Sequence, residues 1–215
     1  MKKKKITGAT DAEVIALLKR YQCPVPFHEV RTRFLGFIAS PILEISPLET
    51  VKQLWGGEWP EFETVEALNE LLGVLVGGLW NRLTEHQNSR NPFQLLRIDV
   101  AQSRDGLKRL ALVRTQELDG FVEGLFGPEE RIELPEIAHE SLGVLAELRS
   151  MFAGISDLLN DLDKPAEPED LKGLLRNIQK LSLIIEAEMN KANLSCKRAR
   201  VQRLDQLPAI KPTWH

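Results

Sequence analysis

Apolar residues recur at intervals of three and four through most of this chain and nowhere form a convincing series of alternating strands, so an all-α fold is expected. The pattern is most regular near the C-terminus. From Pro135 to about Asn160, the residues Ile137, Val144, Leu148, Met151, Phe152, Ile155 and Leu159 keep helical spacing. From Pro168 past Arg200, the series Leu171, Leu174, Leu175, Ile178, Leu181, Ile185, Met189 and Ala192 repeats it. The link between them, Asp161 to Glu167, is short and contains Pro165, so the expected form is an antiparallel helical hairpin. A stripe this regular reads as packing within the chain or as a dimerisation seam.

Proline, glycine and capping residues divide the rest into a multi-helix bundle. A first helix is expected over Asp11–Tyr21, stopped by Pro24 and Pro26; a second starts near Pro26, carries Val30, Phe34, Phe37 and Ile38, and ends before Pro41. Ser46, Pro47 and Glu49 form the signature of an N-cap, a proline at the first helical position and a capping box, and Gly56 and Gly57 close that helix. Thr64–His86 reads as one long helix, apolar nearly all round between Leu71 and Trp80 and therefore expected at the centre of the bundle. Its Gly73, Gly77 and Gly78 are disfavoured in a helix interior, which points to close approach of a neighbour. A polar loop, Asn88–Pro92, leads into a stretch up to Ser103 with no clear pattern, and Asp105–Phe126 is the next helix, closed by Gly127 and Pro128. The domain organisation expected is a helical core over 1–128, a hairpin over 129–207 packed on it, and a tail over 208–215.

At 215 residues, with 43% hydrophobic and 27% charged residues, the chain is long enough to bury its own core without cross-links. Cys23 and Cys196 are too few for a disulfide framework or a thiolate metal site, so a reducing compartment is expected. Lys2 to Lys5 imitate the basic start of a signal peptide, but Asp11 and Glu13 follow where an apolar region is required, and the expected location is cytoplasmic. The longest apolar run, Leu71–Trp80, is about half the length that crosses a bilayer.

Two short segments echo one another: Phe34-Leu35-Gly36-Phe37-Ile38, followed by Ser40-Pro41, and Leu118-Asp119-Gly120-Phe121-Val122, followed by Gly124-Leu125. With a helix containing Trp55 and a long helix ending near Asn81-Arg82-Leu83 between them, this order resembles the YecA/YgfB-type family of small bacterial proteins over roughly residues 10–127. The resemblance implies an all-helical bacterial cytosolic protein. Family members with a Cys- and His-rich tail bind zinc there, but this chain has Cys196 alone in its C-terminal half, so neither zinc nor any functional residue is carried over. The glycines beside Phe37 and Phe121 are read on their own as sites of close helix contact.

No residue pattern specifies a reaction. His28-Glu29 and His139-Glu140 lack the second histidine of a zinc-protease helix, since positions 32 and 143 are Thr and Gly; His86-Glu85 adds only a third neighbour pair. Gly56-Gly57 and Gly77-Gly78 lack the lysine or strand context of a phosphate loop. Cys23, before a helix start, is either a thiol of lowered pKa or a small apolar turn residue. Trp55, Trp59 and Trp80 suit pocket walls or core packing, and Glu58, Glu61, Glu63, Glu66 and Glu70 read as a solvated face. No cofactor and no metal is expected.

Charge is unevenly placed. Residues 115–170 hold fifteen acidic against three basic groups, while residues 171–203 hold eight basic against two acidic. The basic end of the last helix, Lys191, Lys197, Arg198, Arg200 and Arg203, is the expected interaction surface, neutralised within the hairpin by Glu136, Glu140, Glu147 and Asp157 or bound to phosphates. The leading expectation is a non-enzymatic helical protein that acts through protein partners, with a homodimer through the hairpin as one form. The alternatives are a nucleic-acid-binding regulator using the basic helix and a small-molecule-binding protein.

Overall fold

The computed structural model describes residues 8–42, 46–129, 131–161, 163 and 167–206. The Lys2–Lys5 run, Pro165 and the tail with Trp214 lie outside them. The described residues are helical with no strand: α1 (Asp11–Arg20), α2 (Phe27–Ala39), α3 (Pro47–Gln53), α4 (Val65–Leu72), a π-helical stretch (Gly73–Trp80), α5 (Asn81–Thr84), a 3-10 turn (Glu85–Gln87), α6 (Arg104–Phe126), α7 (Glu136–Asn160) and α8 (Pro168–Gln206). Local chemistry sets the starts. Thr10 and Glu13 form a reciprocal capping box at α1, and Ser46, Thr64 and Ser103 each accept a backbone N–H at α3, α4 and α6. Gly127 ends α6 at φ 59°, a conformation that favours glycine.

The closest helix contact joins α2 to α6. A Cβ on Gly36 would lie 2.2 Å from the Phe121 carbonyl oxygen; one on Gly124 would lie 2.0 Å from the Arg33 carbonyl oxygen, and one on Gly120 would lie 2.8 Å from that of Glu29. These atoms are backbone, so no rotamer change relieves the clash. Successive contacts ascend both helices together, so α2 and α6 run parallel with glycine at three meeting points. Around this contact Phe34, Leu35, Leu118, Phe121 and Leu125 are fully buried and join one continuous apolar core. The other helices build outwards. Arg82 pairs with Asp11 and Arg20 with Glu70, which sets α1 antiparallel to the Val65–Thr84 helical run. Arg104 donates to the Leu159 and Asp161 carbonyls and Arg149 pairs with Asp119, which sets α7 antiparallel to α6. Glu133 bonds to Arg203 and Ser141 to Glu188, so α8 runs antiparallel to α7. The turn of the expected hairpin lies largely outside the described residues.

Two expectations for residues 64–86 are corrected. The segment is not one uniform α-helix, and its apolar centre is not buried all round: Leu71, Leu75, Gly78 and Leu79 are buried, whereas Gly73 is exposed and Leu72, Val74, Val76, Gly77 and Trp80 are half-buried. The helix at the centre is α6, which buries residues along its whole length, the charged Arg114 and Glu117 included. Of the three glycines, only Gly78 meets a close neighbour, with Ala9 Cβ at 2.4 Å; Gly73 and Gly77 face open space.

Residues 92–100, which carry no clear sequence pattern, form an extended strap across the bundle. Buried backbone groups require partners, and with no strand beside it the strap takes them from side chains. Asn190 accepts from the Phe93 N–H at 2.8 Å and donates to the Phe93 carbonyl at 2.9 Å. Glu186 accepts from Leu95 N–H and Glu117 from Leu96 N–H, while Arg31 and Arg114 donate to the Gln94 and Leu96 carbonyls. Phe93 and Leu95 sit in the core beneath. Arg114 also pairs with Glu117 and donates to Ser182, so this buried ion pair is fully bonded rather than isolated.

Gly124→Ala is expected to destabilise the fold by about 1–3 kcal/mol or more through overpacking, and Gly77→Ala to leave stability unchanged or raise it by up to about 1 kcal/mol. Urea unfolding of both variants measures the contrast. Asn190→Leu strands the Phe93 N–H and carbonyl and is expected to cost about 2–5 kcal/mol in the same assay; a loss below about 0.5 kcal/mol would show that the strap does not need its clamp.

Candidate interaction surface on the last helices

Helix α8 is 39 residues long and emerges from the bundle with one face covered by α7, α2 and α6. The five cations expected to form one patch do not share a face. Counting about 100° per residue, Lys191 and Arg198 point one way and Lys197, Arg200 and Arg203 point broadly the other. Arg200 donates to the Ile38 and Ser40 carbonyls at 3.0 and 3.2 Å and to the Gln87 side chain at 3.2 Å. Lys197 donates to the Gln87 carbonyl at 2.8 Å, and Asn193, one turn earlier, to the His86 carbonyl. These residues therefore cap the C-terminal carbonyls of α2 and of the Glu85–Gln87 turn, where the helix dipole favours positive charge. Helix α2 has no basic residue in its own last turn.

Lys191 pairs with Glu188 one turn away on its own helix, Arg203 pairs with Glu133 at the rim, and exposed Arg198 bonds only to the Leu194 carbonyl of its own helix. The expected neutralisation by α7 does not occur: among the described residues, Glu136, Glu140, Glu147 and Asp157 bond to none of these cations. Their side chains project into solvent, because the α7 residues that meet neighbours are Ala138, Ser141, Leu145, Leu148, Phe152 and Leu159.

A second set of cations, not singled out from the sequence, does share a face. Arg176, Lys180, Leu183, Ala187, Lys191, Leu194, Arg198 and Val201 fall within an arc of about 80° on α8. All but half-buried Leu194 are exposed, Leu183 at 65%. Arg176, Lys180 and Arg198 have no carboxylate partner among the described residues. The signal was present as three-and-four spacing on the polar side of the helix, next to the more conspicuous apolar series. Towards its end the stripe borders an open groove of about 750 Å³, lined by Asn88, Ser89, Leu194, Arg198, Val201 and Gln202.

The other candidate residues are occupied by the fold. His28 bonds to Gln116 at 2.8 Å, and burial lowers its pKa. His86 bonds to the Asn91 carbonyl and meets Phe93 edge-on, while His139 is exposed. No group of three or more His, Cys, Asp or Glu among the described residues is placed to hold a metal ion. Burial raises the Cys23 thiol, the reverse of the activation its position suggested, and pushes Cys196 up to about 11. Trp55 donates to the Tyr21 carbonyl, Trp59 packs on Phe62, and Trp80 meets Phe34 edge-on, so all three serve packing. No helix among the described residues is long and apolar enough to cross a membrane.

Arg200→Gln is expected to lower stability by about 1–3 kcal/mol, because it removes donors from buried helix-end carbonyls, whereas Arg198→Gln stays within about 0.5 kcal/mol. Thermal unfolding followed by circular dichroism separates the two; equal effects would contradict the division of the cluster. The chain matches no protein-family model, no curated protein and no solved structure, so the resemblance to YecA/YgfB-type proteins gains no support and assigns no residue a role.

Proposed function

We propose that this chain is a non-enzymatic helical module that acts through protein partners, which it engages with the solvent face of its last helices. The observation that carries the reading is the stripe on α8, where unpaired Arg176, Lys180 and Arg198 alternate with exposed Leu183, Ala187 and Val201. Mixed basic and apolar side chains at three-and-four spacing suit an acidic amphipathic partner surface. The polar groups inside the bundle support it too, since buried Arg114 and Glu117 and half-buried Glu186 and Asn190 are spent on holding the strap. Two free, unpaired cysteines suit a reducing setting, and the reading places the protein in the cytoplasm.

One alternative uses the same cations. Along about 33 Å of helix, Arg176, Lys180, Lys191 and Arg198 have the reach to track a phosphate backbone. The test is a fluorescence anisotropy titration of duplex DNA and single-stranded RNA at several salt concentrations, with wild type and with all four cations changed to glutamine. The expected result is negligible binding by both proteins at physiological salt. Micromolar binding by wild type, lost in the variant at unchanged melting temperature, would replace the protein-partner reading with that of a nucleic-acid-binding regulator, and the salt slope would flatten by roughly 3 to 4.

A further inference from the structure

The acidic face of α7 and the basic face of α8 are complementary in charge, length and register. On α7, Glu136, Glu140, Gly143, Glu147, Met151, Gly154, Asp157 and Leu158 fall within an arc of about 120°, and all are exposed. The four carboxylates have no partner among the described residues. A Cβ on Gly143 or Gly154 would meet nothing within 4 Å, so the face is open along its length. The acidic stripe spans about 32 Å from Glu136 to Asp157, and the basic stripe about 33 Å from Arg176 to Arg198. Two stripes of opposite sign, matched in length, carried on adjacent antiparallel helices and unpaired except where Lys191 meets Glu188 of its own helix, are self-complementary under two-fold symmetry.

We infer that a second copy of this chain docks on this face, with the α7 stripe of each copy against the α8 stripe of the other. This rests on the protein-partner reading and names the partner. The register follows from the fold. The Ser141–Glu188 bond sets which residues of α7 and α8 lie at the same height within one copy. A two-fold axis parallel to the helices preserves that height, so residue 140 of one copy comes level with about residue 189 of the other. Each carboxylate then lies within about five residues along the helix of a different cation: Glu136 with Arg198, Glu140 with Lys191, Glu147 with Lys180, and Asp157 with Arg176. The other face-to-face two-fold, perpendicular to the helices, sets acid on acid and is excluded by repulsion. Leu183, Ala187 and Met151 supply the apolar part of the contact, and the glycines admit the facing side chains. Two strips about 32 Å long and about 10 Å wide cover on the order of 600 Å² per copy, towards the small end for specific interfaces, so the dimer is a reversible, salt-sensitive one.

The test is sedimentation equilibrium of the full chain at low and high salt, with three variants. The acid-reversed variant carries Glu147→Lys and Asp157→Lys, and the base-reversed variant carries Arg176→Glu and Lys180→Glu. None of these four residues has a partner within its own fold, so both variants are expected to keep the wild-type melting temperature. Wild type is expected to dimerise at low salt and dissociate at high salt. Each reversed variant alone is expected to associate on the order of 100-fold more weakly, and an equimolar mixture of the two to form a heterodimer with wild-type affinity or better. Gly143→Leu, which has open space in the single chain, is expected to weaken the dimer without altering stability. A wild type that stays monomeric at low salt, or reversed variants that dimerise as well as wild type, would overturn the inference. If that occurs while the DNA titration is also negative, self-association alone fails; DNA binding through the stripe would remove the protein-partner reading as well.

Discussion

Everything else in this fold is arranged around the backbone-to-backbone contact of α2 and α6. Glycine at three meeting points lets the parallel helices approach to a distance that no side chain permits, since added Cβ atoms would come within 2.0–2.8 Å of main-chain oxygens. That approach places the residues flanking the glycines, Phe34, Leu35, Phe121 and Leu125, in a single buried layer. It also fixes α6 as the axis against which α7 and α8 are laid. A contact made of main chain cannot be loosened by a rotamer change, so its geometry is passed on to every helix that packs against it.

The strap over residues 92–100 is the second organising feature, and it explains why the charged pair Arg114 and Glu117 lies deep in an otherwise apolar interior. An extended segment laid across helices has main-chain donors and acceptors that no neighbouring strand satisfies. Asn190, Glu186, Glu117, Arg114 and Arg31, drawn from α8, α6 and α2, supply the missing partners. The Arg114–Glu117 pair is thus part of a bonded polar layer that ties three helices to one segment of backbone. Burial raises the carboxyl of Glu117 while Arg114 and the Leu96 N–H oppose that shift, a balance expected of a structural ion pair held in a dry site.

Charge on the last two helices is divided by role. Lys197 and Arg200 turn inward and complete the ends of other helices, which removes them from any outward-facing surface. What remains outside is an acidic face on α7 and a basic, partly apolar face on α8, neither neutralised by the other because the helices meet through Ser141, Glu188 and the apolar residues between.

The all-helical class, most helix boundaries and the close-contact glycines at 36, 120 and 124 were legible in the sequence. These depend on local information: apolar spacing, capping residues such as Ser46, and glycine where only glycine fits. The status of Gly73 and Gly77, the partial exposure of Leu72–Trp80 and the central place of α6 were decided by tertiary packing, because an apolar run does not say how many neighbours it has. The strap's partners could not be foreseen, as they lie from 18 to 97 residues away along the chain; the apolar–charged alternation from Leu96 to Val100 is that of an extended segment but does not say what the segment bonds to. The same distinction divides the basic cluster. The sequence determined that the last helix is rich in Lys and Arg, but which cations face helix-end carbonyls and which face solvent depends on the rotation of α8 about its axis, and only packing against α2, α6 and α7 sets that angle.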